Sequence, residues 1–206
     1  LLTELCDGQT FTALHNGDET LEPDDATVYV LHTNSGTSLG TVLAQNPASG
    51  NFSFAPPMVF GTTYYVSLVA GNADGSGGVD FTDPCLDVAQ GSPVVFYPLP
   101  TATLAGNADI CTGETATLTF TLTGNQPWNI TYSDNLGNNV TVSATASPFM
   151  VTVTPSLSTT YSAVSVTDAH CTGTTSGSAA ITVHSLPTPA ISGNDEICLG
   201  ETPDLD

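Results

Sequence analysis

Hydrophobic and polar side chains alternate along most of this chain. The clearest run covers residues 116–123, where Leu118, Phe120 and Leu122 alternate with threonines. Successive side chains of a β-strand point to opposite faces, so a period of two predicts a strand with one buried face and one solvated face. The same alternation predicts further strands at 9–14, 26–33, 38–44, 51–54, 62–70, 93–97, 128–132, 139–144, 149–154, 159–167 and 179–184.

The segments between these strands are rich in Gly, Asn, Asp and Pro, the residues that tight turns require. Six or seven short strands in roughly 90 residues are typical of an immunoglobulin-like sandwich. The sequence therefore predicts an all-β fold of tandem immunoglobulin-like β-sandwich domains. Trp128 and Tyr161 are predicted to be packing residues of the second sandwich.

An internal repeat divides the chain. The segment LAGNADICTGET, which begins at Leu104, recurs 87 residues later as ISGNDEICLGET from Ile191, and a weaker copy of its Cys-x-Gly-[Glu/Gln]-Thr frame begins at Cys6. A repeat of this length suits one β-sandwich. We therefore predict a longer immunoglobulin-like variant at 1–98, a second sandwich at 99–186, and the first strand of a following repeat at 187–206, which is truncated.

The repeat also suggests how the five cysteines pair. It predicts one disulfide between Cys6 and Cys85 in the first domain and one between Cys111 and Cys171 in the second, and it leaves Cys198 unpaired within these residues, with a partner expected beyond Asp206. A metal site and free thiols are the alternatives, but the CxxC spacing that zinc sites favour is absent from the sequence. Disulfides indicate an oxidising compartment.

The charge composition is strongly one-sided. The 206 residues include no Lys or Arg and 20 Asp or Glu, so the formal net charge is -20. An ordinary chain of this length has about 20 to 25 basic residues. Without them there is no positive patch for phosphate or anionic lipid, so neither nucleic acid nor an anionic membrane is predicted as a partner. Trypsin-like proteases also have no cleavage site, which favours an extracellular protein exposed to proteases.

One loop has the spacing of a calcium site. Residues 72–83 offer oxygen ligands at positions 1, 3, 5, 9 and 12 of a calcium-binding loop. These candidate metal ligands are Asn72, Asp74, Ser76, Asp80 and Asp83. However, the loop follows a strand rather than a helix, and a Gly- and Asp-rich turn forms without any metal. Calcium is therefore the one cofactor that the sequence suggests, and the alternative is that the protein has no cofactor.

Catalytic signals are weak. The segment Gly36–Gly40 matches GxSxG, but it follows a predicted hairpin, whereas a nucleophile elbow needs a strand-to-helix turn. The four histidines are dispersed over both predicted domains with no paired serine and acid. We therefore predict that the protein is not an enzyme and assign no catalytic residue.

Three segments resemble a known family. They are the Cys-x-Gly-Glu-Thr frame with its Thr-rich strand, TTYSAVSVTDAHCTGT from Thr159, and AAITVHSLPTPAISG from Ala179. They resemble the immunoglobulin-like repeats of very large surface adhesins of gliding and filamentous Bacteroidetes, closely in the second repeat and moderately in the first. The resemblance implies type IX secretion, surface anchoring and a role in adhesion or motility. His170 stands where such repeats often have Asn-Gly, a departure with no expected consequence.

Together these features predict a structural repeat unit of a long extracellular adhesin stalk or surface filament at the bacterial cell surface. Its partners would be neighbouring repeats of the same chain or filament, and its lack of Lys and Arg would make it protease-resistant. The alternative is an extracellular carbohydrate- or calcium-binding module with surface glycans as partners. Two ways of joining repeats are left open: covalent continuation of the chain, or strand exchange between subunits.

Overall fold

The computed structural model describes residues 1–14, 17 and 20–190, and this part of the chain consists of sixteen β-strands and their connections. The all-β prediction is confirmed. The described residues contain no helix that could cross a membrane. The strands are β1 (Thr3–Cys6), β2 (Thr10–Ala13), β3 (Asp25–His32), β4 (Val42–Asn46), β5 (Gly50–Ser53), β6 (Thr63–Asn72), β7 (Asp87–Val88), β8 (Ser92–Tyr97), β9 (Thr101–Ala105), β10 (Ala108–Cys111), β11 (Ala116–Thr123), β12 (Trp128–Asp134), β13 (Asn139–Ala144), β14 (Phe149–Val153), β15 (Thr159–Thr167) and β16 (Thr174–His184).

Strands β1 to β8 form module 1. Five of them build a sheet in the order β1-β8-β6-β3-β4, β7 pairs with β6, and β2 pairs separately with β5. The β2-β5 pair covers one face of the sheet, where Phe11 and Phe52 join a core with Leu31 and Phe96. β3 and β6 lie in the middle of the sheet, and their apolar side chains on the other face must also be shielded from water.

The connection between β6 and β8 provides that second cover. Val79 and Val88 from this connection pack with Val28, Val30 and Val69. Burial on both faces explains why β3 and β6 depart from simple alternation of buried and exposed positions. The loop at 72–83, which was predicted as a calcium site, thus also contributes a core side chain, Val79, to module 1.

Strands β9 to β16 form module 2. They are ordered β13-β12-β15-β16-β9-β11-β14, and β10 also pairs with β16. The N-terminal part of β16 pairs with β9, whereas its C-terminal part pairs with β15 and β10. β16 therefore passes from one layer to the other and closes a sandwich. The buried core between the layers includes Leu104, Leu118, Phe120, Leu122, Trp128, Ile130, Val166 and Ile181.

Local alternation located five strands of module 2, β11 to β15, to within two residues. β11 has the bounds predicted for it, and Leu118 and Phe120 on its inner face are fully buried. Trp128 is buried as predicted, and its indole Nε1 donates a hydrogen bond to the Thr123 carbonyl at 2.9 Å. The polar indole edge therefore keeps a partner inside the core.

Two strand starts differ from the sequence prediction by four residues or more. β16 begins at Thr174 rather than at residue 179, because pairing with β9 extends a Thr- and Ser-rich segment that has no alternation of its own. β4 begins at Val42 rather than at residue 38. The Leu39 carbonyl that precedes it lies 3.0 Å from His32 Nδ1, so this segment serves a side chain instead of a strand partner. The truncated third repeat was predicted at 187–206, and its residues 191–206, which include Cys198, lie outside the described residues.

A buried histidine lies on the second face of module 1. His32 Nδ1 donates to the Leu39 carbonyl, and Ser67 Oγ donates to His32 Nε2 at 2.9 Å, which fixes the neutral imidazole. Burial lowers the pKa of His32, and the hydrogen bond to Leu39 opposes this effect without reversing it.

This arrangement predicts a dependence of module 1 stability on pH. Below about pH 6.5 the unfolded chain binds a proton at His32 that the folded chain does not bind. The free energy of unfolding should therefore fall as the pH decreases from about 6.5 towards the lowered pKa of the folded state, by at most about 1.4 kcal/mol per pH unit. Urea titrations at several pH values measure this slope.

The matched control uses an exposed histidine. His32→Gln should flatten the pH dependence in this window, whereas His184→Gln, whose side chain is 61% exposed in the folded protein, should preserve it. Parallel pH curves for His32→Gln and the unsubstituted chain would show that His32 is not the group responsible.

Candidate functional site: the junction between the modules

A very short linker joins the two modules. β8 ends at Tyr97 and β9 begins at Thr101, so only residues 98–100 lie between them. Pro100 is buried, and its carbonyl accepts a hydrogen bond from the Thr174 N–H at 3.1 Å. A side chain at Gly173 would overlap the Pro100 carbonyl oxygen. The linker is therefore packed onto module 2.

A disulfide forms a second covalent connection across this junction. It joins Cys6, the last residue of β1 in module 1, to Cys171, in the connection between β15 and β16 of module 2. The two cysteines are 165 residues apart in sequence, and their Cα atoms are 5.8 Å apart. The modules are thus joined end to end at two separate points.

The predicted pairs Cys6–Cys85 and Cys111–Cys171 are wrong. Cys6 lies at the end of module 1 that faces module 2, whereas Cys85 follows the far end of β6, whose ten residues span about 30 Å. Cys111 and Cys171 lie near opposite ends of β16 in the same way. A disulfide needs Cα atoms within about 7 Å, so neither predicted pair can form inside a folded module.

Side chains from both modules pack beside the disulfide. The rings of Tyr97 and His170 are stacked, with centroids 3.6 Å apart and planes inclined by 6°. His170 Nδ1 donates to Glu4 Oε2 at 3.3 Å. Burial raises the pKa of Tyr97, and the negative charge of Glu4 raises it further. Glu4 and Tyr97 therefore form a small platform on module 1 for the His170 ring.

Asp168 positions the module 2 side of the junction. Its Oδ1 accepts the backbone N–H groups of His170 at 2.9 Å and Cys171 at 2.7 Å, and its Oδ2 accepts the Asn125 N–H at 2.7 Å. Burial alone would raise the pKa of Asp168, but these three N–H groups lower it overall. The carboxylate is thus held ionised, and it orients the loop that presents both His170 and Cys171 to module 1.

The packing residues of this site were not predicted from the sequence. Glu4, Tyr97 and Asp168 had no predicted role, and His170 was expected to be a departure with no consequence. Strand periodicity cannot identify contacts between modules, since it reports only which face of a strand is buried. The available signal was the position of Tyr97 beside a Pro-Leu-Pro linker, because a short stiff linker forces its flanking residues into contact.

The acidic groups of the 72–83 loop bind their own backbone. Asp74 Oδ1 accepts the N–H groups of Ser76 at 2.7 Å and Gly78 at 3.0 Å, and these bonds lower the pKa of Asp74. Asp80 Oδ1 accepts the Thr82 hydroxyl at 2.7 Å and its N–H at 2.8 Å, which likewise lowers the pKa of Asp80.

Asp83 completes the loop by accepting the N–H of Asn72 at 2.8 Å. In the described part of the chain, no group of three or more His, Cys, Asp or Glu side chains is arranged to hold a metal ion. The hydrogen bonds account for the loop as a set of turns, and calcium binding at Asn72, Asp74, Ser76, Asp80 and Asp83 stays a prediction.

All of the Phe, Tyr and Trp side chains lie in the described residues, and each is buried or half-buried. Sugar-binding surfaces often use exposed aromatic rings, and glycan binding also stays a prediction. Ser38, the serine of the GxSxG segment, lies in the connection between β3 and β4. This is not the strand-to-helix turn that a nucleophile elbow requires.

Comparison with known proteins supports an immunoglobulin-like fold. The family model for the Ig-like domain of nucleoporin POM152 matches residues 100–180, which is most of module 2. No curated protein matches the chain.

Two solved structures are similar to this chain at low sequence identity. The N-terminal four Ig domains of Dscam1 isoform 4.44 are 13% identical with a TM-score of 0.39, over 89% of this chain and 43% of that one. The chain thus spans less than half of that fragment. The fibronectin(III)-like modules of Clostridium thermocellum CbhA are 14% identical with a TM-score of 0.36, over 89% of this chain and 90% of theirs.

Proposed function

We propose that this chain is a structural segment of a long extracellular stalk or surface filament, as in bacterial surface adhesins. The observation that supports this most strongly is the doubly connected junction. A single linker lets two modules bend about it, whereas a second covalent bond beside the linker restricts that bending. The stack of Tyr97 on His170 adds packing at the same place. Such a junction transmits force and keeps successive modules aligned.

The proposed location rests on the disulfide and on the charge. Disulfides persist in oxidising surroundings outside the cytoplasm. A chain with no Lys or Arg and 20 Asp or Glu has no site for trypsin-like proteases. Type IX secretion, anchoring at the bacterial surface and a role in adhesion or motility follow from the resemblance to Bacteroidetes adhesin repeats and belong to the proposal.

Removal of the junction disulfide tests this function. In the double variant Cys6→Ser/Cys171→Ser, residues 98–100 become the only covalent connection, so the range of angles between the modules should widen. Small-angle X-ray scattering should then show a broader distribution of interatomic distances, while circular dichroism shows unchanged strand content. In the chain-entropy model, a loop of this length also stabilises the folded state by at most about 5 kcal/mol, so the melting temperature should fall.

The matched control is Cys85→Ser/Cys111→Ser, which removes the same number of sulfur atoms but no disulfide between described residues. It should scatter as the unsubstituted chain does. If the junction variant also gave an unchanged scattering curve, the disulfide would not be what stiffens the chain, and the case for a stalk would lose its main support.

A further inference from the structure

We propose that the Cys6–Cys171 disulfide is one member of a continuing series. In this series, Cys111 bonds the cysteine that follows the penultimate strand of the next module in the chain. The partner is thus the counterpart of Cys171 in a neighbouring module of the same kind. The inference rests on the proposed function in one respect, since it assumes that modules follow one another in a stalk.

Cys6 and Cys111 occupy equivalent places in their modules. Cys6 is the last residue of β1, which pairs in parallel with β8 and places Cys6 opposite Tyr97. Cys111 is the last residue of β10, which pairs in parallel with β16 and places Cys111 opposite His184. In each module, the cysteine therefore stands at the end where the final strand leaves towards the next linker.

The hydrogen bonds around the two cysteines also correspond. The Cys6 N–H donates to Gln9 Oε1 at 2.7 Å, and the Gln9 N–H donates to the Cys6 carbonyl at 2.9 Å. The Cys111 N–H donates to Glu114 Oε2 at 2.8 Å, and the Glu114 N–H donates to the Cys111 carbonyl at 3.0 Å. The Cys-x-Gly-[Glu/Gln]-Thr frame is therefore a turn that presents the cysteine in the same backbone geometry both times.

The residues that contact His170 at the junction between modules 1 and 2, called the first junction, also have counterparts at the other end of module 2. Glu4 stands two residues before Cys6, and Asp109 stands two residues before Cys111. His184 occupies the place of Tyr97, and its Nε2 lies 3.3 Å from Asp109 Oδ1. The end of module 2 thus carries an acid and an aromatic ring beside a half-buried cysteine, as the end of module 1 does.

Geometry excludes a partner for Cys111 inside module 2. Cys171 is already bonded to Cys6, and it lies near the Thr174 end of β16, whereas Cys111 faces the His184 end. The eleven residues of β16 span about 33 Å. Among the described residues Cys111 has no disulfide partner, so a bond at this end needs a residue from beyond it.

Cys85 is the module 1 counterpart of Cys171 and lies at the end of module 1 that is remote from module 2. It follows β6 as Cys171 follows β15, and its N–H donates to Asp83 Oδ1 at 2.9 Å as the Cys171 N–H donates to Asp168 Oδ1. Its thiol is exposed. Cys85 therefore has the position from which a preceding module would be reached.

The bond forms by ordinary thiol oxidation. Cys111 and its partner each lose one proton and one electron, and an external disulfide such as oxidised glutathione accepts both electrons and becomes two thiols. The reaction needs the two sulfur atoms to be in contact, which the linker and the stacked ring bring about at the first junction.

The test adds a third module that is built from the chain's own sequence. Residues 191–206 repeat residues 104–119, so appending a copy of residues 120–186 after Asp206 completes a third module in the repeat frame. After oxidative folding in glutathione, peptides cut with Asp-N are mapped by mass spectrometry without reduction. We expect Cys6 bonded to the original Cys171, Cys111 bonded to the appended copy of Cys171, and Cys198 as a thiol.

Two variants of the extended chain sharpen the result. Cys198→Ser removes the competitor within the third module and should leave the Cys111 bond unchanged. Cys111→Ser should leave the appended copy of Cys171 as a thiol, because Cys198 stands at the far end of that module. A bond between Cys198 and the appended Cys171 would overturn the proposal, and so would a free Cys111 in a chain whose first junction is oxidised.

A second measurement uses the 206-residue chain unchanged. Alkylation of the folded, oxidised protein should label Cys85, Cys111 and Cys198 and should spare Cys6 and Cys171. A Cys111–Cys198 bond in this chain would overturn the series. The two proposals fail in different ways: loss of the Cys6–Cys171 bond, or an unchanged scattering curve without it, contradicts the stalk, whereas a correct first junction with a wrong Cys111 partner contradicts only the series.

Discussion

Trypsin should leave the reduced, unfolded chain intact during prolonged digestion. Unfolding exposes every peptide bond, so resistance in this state cannot come from the fold. It must come from the absence of Lys and Arg, which trypsin needs beside the bond that it cuts. Electrophoresis and mass spectrometry of the unfolded chain should show one species with trypsin and many fragments with chymotrypsin or Glu-C.

Single lysines restore the missing site and provide matched controls. Leu136 lies in the turn after β12 and is 80% exposed, and Met150 lies in β14 and is 64% exposed. Leu136→Lys and Met150→Lys should each give two tryptic fragments from the unfolded chain. In the folded protein, Leu136→Lys should be cut faster, because a turn adapts to a protease more easily than a strand paired in a sheet. Cleavage of the unsubstituted unfolded chain by trypsin would contradict the explanation.

Substitution of Gly177 should destabilise module 2 by about 3 kcal/mol or more, because two costs combine. Gly177 has a φ of +79°, which side chains other than glycine rarely adopt. A Cβ there would also overlap the backbone carbonyl oxygen of Leu104. The glycine stands in β16, where the strand leaves β9 and begins to pair with β15, so Gly177→Ala disturbs the closure of the sandwich.

Substitution of Gly137 measures the cost of the backbone conformation without the cost of a steric overlap. It has a φ of +87°, but a Cβ at this position would meet nothing within 4 Å. Gly137→Ala should therefore cost only about 1 to 2 kcal/mol, from the backbone conformation. Urea unfolding of both variants, with the module 1 transition as an internal reference, measures the difference. Equal losses would show that the close approach between β16 and Leu104 does not constrain the fold.

The sequence predicted those strands whose burial follows a simple rule. β11 and β13 have one inner and one outer face, so alternation marked their bounds correctly. β1, β7, β9 and β10 were not predicted, since each has at most five residues and too few alternating positions to stand out. The polar start of β16 became a strand only because β9 offered it a partner.

The pairing of the cysteines at the junction could not be predicted from the sequence in the same way. The repeat indicated that Cys6 and Cys111 are equivalent, and this equivalence holds in the structure. The prediction that each cysteine pairs within its own module was wrong. Sequence spacing cannot show that the two cysteines of a module stand at opposite ends, since this depends on the direction in which each strand crosses the sheet.

The sequence by itself determined the all-β class, the repeat, the absence of cationic side chains and the equivalence of the cysteines, because composition and periodicity are properties of the chain alone. The tertiary structure decided which cysteine meets which, and with it the nature of the junction. β6 and β16 each separate the two cysteines of their module by about 30 Å. A disulfide reaches only about 7 Å, so it joins consecutive modules rather than opposite ends of one module.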